Sequence, residues 1–174
     1  MIVILLALVC GADGSINDQV LAFARSKLGE TVGDGQCSSL AAEALRQAGA
    51  KVRRGEHGSW GEELKSLLEA KPGDILQFDD AYFAHTGVDT DGRVMKRMML
   101  FPHHTAIVAR VRKRGTKPTL VVVHQNVGET KVVQEWTLNI ADKKRGTIKL
   151  YRPVARDAAR SRSDPERSSS TDTP

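Results

Sequence analysis

Apolar positions Ile16, Val20, Phe23, Ala24 and Leu28 recur at helical spacing behind Ser15, with Asp18 three residues on. A hydroxyl followed by an acid at that spacing marks a capped helix start, and Gly29 supplies a stop. "ETVGDGQ" (30–36) then reads as a loop, and "CSSLAAEALRQA" from Cys37 as a second helix closed by Gly49. "SWGE" (59–62) has capping-box spacing and predicts a short helix through Leu64, Leu67 and Leu68. Beyond the Pro72–Gly73 turn the period changes to that of strands. These are "DILQF" (74–78), "HTAIVARV" (104–111), "TLVVVHQN" (119–126), "KVVQEWTL" (131–138) and "TIKLYRP" (147–153). Residues 79–97 are polar and read as an insertion, with "DTDGR" (89–93) as a turn. Helices first and an antiparallel meander afterwards indicate an α+β fold.

Both ends differ from this middle. The apolar run Ile2–Val9 is too short to span a membrane and fits the core of an export signal over residues 1–14. Residues 155–174 carry almost no large apolar side chains, and four Arg balance three Asp and one Glu, so a disordered tail is expected. The folded domain is therefore expected over 15–154, with no stable membrane insertion once the signal is removed.

Charge changes this picture little. The net charge is +5 and the pI about 9.4. The densest basic run, "RVRKR" (110–114), falls at an expected hairpin turn. No basic stripe is interleaved with aromatics as single-stranded nucleic acid requires, so no nucleic-acid partner is expected.

Candidate chemistry centres on cysteine. The chain has two, Cys10 and Cys37, and loss of a signal would leave Cys37 alone. One thiol makes neither an internal disulfide nor a multi-cysteine zinc site. Cys37 stands at a helix N-terminus, where unsatisfied N–H groups favour a thiolate. Those groups, with the Gln36 side chain, are candidates for an oxyanion hole. The alternative is a small cysteine packed beneath its helix. A thiol nucleophile needs a base and an orienting group. A hairpin of the two strands beginning at His104 and Thr119 would present His104, His124 and Asn126 together, since residues 122, 124 and 126 share a face. Neighbouring His103 and His104 point to opposite faces, so no metal or other cofactor is expected.

"GDGQCSSLA" resembles the Gly-Gln-Cys-Thr/Ser motif of CHAP domains, the cysteine, histidine-dependent amidohydrolases and peptidases. The run from Val20 to Leu45 is similar to the opening of NlpC/P60 peptidases. "KPGDILQF", "HTAIV", "VVVHQN" and "LYRP" follow in the order of those families and extend the resemblance to Pro153. The resemblance implies a papain-like fold with the nucleophile helix packed on an antiparallel sheet. It implies Cys37 as nucleophile and His104 as base, with His124 standing where CHAP domains carry glutamate, and Asn126 matching the family asparagine. The implied activity is metal-free hydrolysis of amide bonds in peptidoglycan, or another peptide-containing polymer, by a secreted or cell-envelope enzyme. A papain-like protease, deamidase or acyltransferase is the alternative, as is a non-catalytic binding module of the same fold.

Overall fold

The computed structural model describes residues 14–52, 59–88, 90–113 and 115–156. Residues 1–13 of the expected signal and 157–174 of the expected tail lie outside them. Two helices come first: α1 (Ile16–Ser26) and α2 (Cys37–Gln47). Ser15 and Asp18 exchange the reciprocal bonds of a capping box at the start of α1. Strands β1 (Glu62–Leu64), β2 (Ile75–Val88), β3 (Val94–Arg112), β4 (Thr119–His124), β5 (Gln134–Asn139) and β6 (Lys143–Arg152) form one antiparallel sheet in the order β1-β6-β2-β3-β4-β5. The α+β expectation holds. The meander covers β2 to β5, and β6 crosses back to lie beside β2.

The sheet is buried on both faces, so its strands carry apolar residues at consecutive positions. On one face Ile75, Ile107, Val123 and Tyr151 pack beneath Val20, Ala24, Leu40, Ala44 and Leu45 of the helices. Burying Leu40 and Leu45 contributes roughly 2 kcal/mol each. On the other face, away from α1 and α2, Leu76, Phe78, Ala106, Val122, Leu138 and Leu150 form a second core. Asp80 breaks the alternation with φ +46°. The Asp80 carbonyl passes so close to Gly146 that a β-carbon there would sit 2.1 Å from it. Beyond this kink Ala81, Phe83 and Phe101 turn into the second core.

Two expectations are corrected. The helix predicted from Ser59 is instead strand β1, followed by a 3-10 turn (Leu67–Glu69) that Ser66 caps. Gly61 lies against the Arg152 carbonyl, where a β-carbon would be 2.0 Å from its oxygen, so pairing with β6 wins over a short local helix. The polar insertion is an arm: β2 and β3 stay paired from Asp79↔His103 out to Val88↔Val94. Its side chains are polar or exposed because the arm extends past the cores, which hides the strand signal.

The Pro-Gly-Asp turn ties the layers together. Asp74 is fully buried and accepts two bonds from Arg152, at 3.1 and 2.9 Å, one from Asn17 at 2.8 Å and one from the Lys71 N–H at 2.9 Å. One carboxylate thus joins α1, the β2 turn and β6, and its neutral and cationic donors offset its desolvation.

Candidate functional site

Gly33 and Gly35, both at positive φ, turn the chain into α2. Gln36 is the N-cap residue but makes no capping bond with its side chain. That place is taken by Asp34, whose carboxylate accepts from the Gln36 N–H at 2.9 Å and from the Ser39 hydroxyl at 2.5 Å. The Ser39 bond, then the Gln36 N–H, hold the Asp34 carboxyl below its usual range. A negative charge therefore already sits at the positive end of the helix, where a Cys37 thiolate would draw its stabilisation. The sequence carries this signal in the Asp34–Ser39 spacing, but reading "GDGQ" as a plain loop passes over it.

Gln125 holds the same loop from the sheet. It is fully buried on the helix face of β4's end, accepts from the Val32 N–H at 3.0 Å, and donates to the carbonyls of Val32 at 2.9 Å and Gln36 at 2.6 Å. Alternation had set Gln125 apart from the candidate residues, and its role depends on a loop distant in sequence. Asn126 follows the strand in the left-handed region, φ +60°, and donates to the Gln36 side-chain oxygen at 2.9 Å. It holds the loop ahead of Cys37 and, among the described residues, makes no bond to His104 or His124.

The two histidines meet. His104 Nε2 and His124 Nδ1 are 3.0 Å apart, and the residues are 4% and 1% exposed. Both share the sheet face of Ala106 and Val122, away from the helices. Phe101 stacks on His104 with centroids 4.9 Å apart, Phe78 packs at 5.8 Å, and Trp136 lies 5.3 Å from His124. Burial among these rings pushes His104 down to about 4. Burial, and then the neighbouring His104, push His124 down to about 3. Both are neutral at pH 7.

Tautomers follow from what the outer nitrogens meet. His124 Nε2 is buried without a hydrogen-bond partner. An N–H there points its positive end at the aromatic surroundings, whereas a lone pair would face the ring π-cloud, so the proton is assigned to Nε2. His124 Nδ1 then accepts from His104 Nε2–H, which leaves His104 Nδ1 as a free basic nitrogen. The arrangement can accept a proton, but among the described residues no carboxylate bonds either ring to stabilise the resulting imidazolium. Among the described residues no hydrogen bond joins Cys37 to either histidine, and Cys37 is partly buried. A pocket of about 260 Å³ lies elsewhere, between Phe83, Arg97 and Met99 of the arm and Leu138, Asn139 and Asp142.

Comparison with known proteins changes the functional setting. The chain is 26% identical over 157 residues to "Altered inheritance of mitochondria protein 3" of Debaryomyces hansenii, covering 79% of this chain and 16% of that relative. The chain thus spans about a sixth of the relative's length. No solved structure matches. The expected peptidoglycan substrate, cell-wall role and secreted or envelope location are corrected here: the relative is a yeast protein named for the inheritance of mitochondria. The misreading has a physical origin. Motifs that build a turn, a helix start and a strand report the scaffold, and one scaffold serves many substrates. The model of the AIM3/BBC1 cysteine proteinase-fold domain matches residues 10–163, and the chain belongs to that family.

Proposed function

We propose that this domain is a non-catalytic recognition module of cysteine proteinase fold, working as one part of a longer protein. The observation that carries the reading is the state of the imidazole pair: sealed among aromatic rings, lowered to about 4 and about 3, and not bonded to Cys37. A base near 4 does not hold the proton of an ordinary thiol, whose pKa is about 8.5, as a resting ion pair. The gap is more than four orders of magnitude, and among the described residues no carboxylate on the ring offsets it. Asp34 at the start of α2 adds to the imbalance. By the name of the Debaryomyces hansenii relative, the process served would be mitochondrial inheritance.

One observation favours a second reading. The His104–His124 hydrogen bond leaves His104 Nδ1 free, as a general base would need, and the motifs resemble CHAP and NlpC/P60 enzymes. On that reading Cys37 attacks an amide or thioester carbonyl of a non-peptidoglycan substrate, with His124 orienting the base. Iodoacetamide labelling of Cys37 against pH, in a Cys10→Ser background with and without His104→Ala, separates the two. The recognition module predicts labelling that rises near pH 8.5 and ignores the His104 substitution. Labelling that is complete below pH 7, and moves up in His104→Ala, would overturn it in favour of the hydrolase.

A further inference from the structure

We infer that the β2–β3 arm is a docking site where the outer edge of β3, Val94–Leu100, takes up an extended acidic segment of a partner protein as an added strand. This goes beyond the reading of Cys37 and does not depend on it.

The edge is open on one side. β3 pairs with β2 along the arm, but its pairing with β4 runs only from Ile107↔Val123 to Arg112↔Thr119. Among the described residues no strand lies on the outer side of Val94–Leu100. Its outward N–H and C=O groups form a template for another strand. Pro102 lacks an N–H and ends that template toward the domain.

The arm's side chains are sorted by face. The register puts Val88, Val94, Lys96, Met98, Tyr82 and Leu100 on one face. Val88, Val94, Met98 and Leu100 are 50% to 69% exposed there. On the other face Arg97 and Met99 line the pocket of about 260 Å³. An added strand would lay alternate side chains on the apolar face and direct the rest toward that pocket.

Charge selects the occupant. Lys96 and Arg97 stand side by side on the edge, one toward each face, and neither forms an ion pair among the described residues. Acidic residues in the incoming strand would pair with these groups on either face. A second copy fits less well: antiparallel self-pairing over the whole edge sets Arg97 against its own copy, with Lys96 opposite Met98. Charges on an edge also serve to block pairing. Blocking alone leaves unexplained the four exposed apolar side chains that share one face.

The test uses the full chain and two short fluorescein-labelled peptides, one alternating valine with glutamate, the other valine with lysine. Fluorescence anisotropy should show the glutamate peptide binding at least about tenfold tighter. Hydrogen exchange should show new protection at Val94–Leu100. Lys96→Glu/Arg97→Glu should reverse the preference, and Met98→Asp should weaken binding of both peptides. These positions are exposed, and unchanged melting temperatures would confirm folding. Equal binding of the two peptides, protection mapping to another strand, no binding, or self-association through this edge in sedimentation would each overturn the proposal.

Discussion

His104 Nε2 and His124 Nδ1 share one proton across 3.0 Å, in a wall of aromatic rings on the sheet face away from α1 and α2. The pair is a polar element inside an apolar core, and its stability depends on remaining neutral.

That dependence gives a pH prediction. In the unfolded chain both histidines titrate near 6.5, and in the folded protein near about 4 and about 3. The unfolded state binds more protons between these values, so stability rises with pH there. The contribution is fully present above about pH 6.5 and is lost as the pH falls toward 4. The loss is on the order of 3 kcal/mol for His104 alone. Thermal unfolding from pH 8 to pH 4 should show a steep fall below pH 6.5. His124→Gln, which cannot titrate, should have a shallower slope; an unchanged slope would remove the pair from the account.

The buried carboxylate of Asp74 predicts a strong coupling with Arg152. Arg152→Ala leaves a fully buried acid with only neutral donors, and should cost about 3 kcal/mol in urea unfolding. Asp74→Ala should cost a similar amount. The double variant should cost clearly less than the sum. Simple additivity would mean the two groups do not interact.

Gln125 supplies three bonds to the loop ahead of Cys37. Gln125→Ala should cost about 2 kcal/mol and speed hydrogen exchange at Val32. Gln125→Glu should be worse, because a carboxylate cannot donate to the Val32 and Gln36 carbonyls and is buried there. If the glutamate variant proves as stable as wild type, the loop is anchored by something else.

Gly73 has φ +84°, and a β-carbon on it would lie 2.1 Å from the Asn17 carbonyl oxygen. Gly73→Ala should destabilise the domain by about 2 to 4 kcal/mol, through left-handed strain and displacement of α1. Gly29→Ala is the control, since its φ is +82° but nothing lies within 4 Å of its β-carbon. Its smaller melting shift would measure the strain alone, and equal shifts would refute the steric part.

The elements most legible in the sequence carry their cause locally. Ser15 and Asp18 close their capping box within one turn, and "PGD" makes its turn from residues in contact along the chain. The meander followed from short apolar, β-branched runs bounded by turn residues, because burial on both faces leaves apolar side chains at consecutive positions in β3 and β4. The His104–His124 encounter was legible because a short connection and strand alternation place those side chains together.

What only the tertiary structure decided depends on distant partners. Pairing with Arg152 made a strand of Glu62–Leu64 where local capping spelled a helix. The kink at Asp80, fitted against Gly146, returned Phe83 and Phe101 to the second core and shaped the arm. The Cys37 surroundings were decided by Asp34, which occupies the helix start, and by Gln125, reaching across 93 positions to Val32. The sequence by itself determined α1, α2, the Pro72–Gly73 turn and the strands of the meander outside the arm, since those choices rest on neighbouring residues. The tertiary structure determined which sheet face is covered and which groups lose water. That sets the protonation state of the imidazole pair, because desolvation is a property of the packed surroundings and not of the residue.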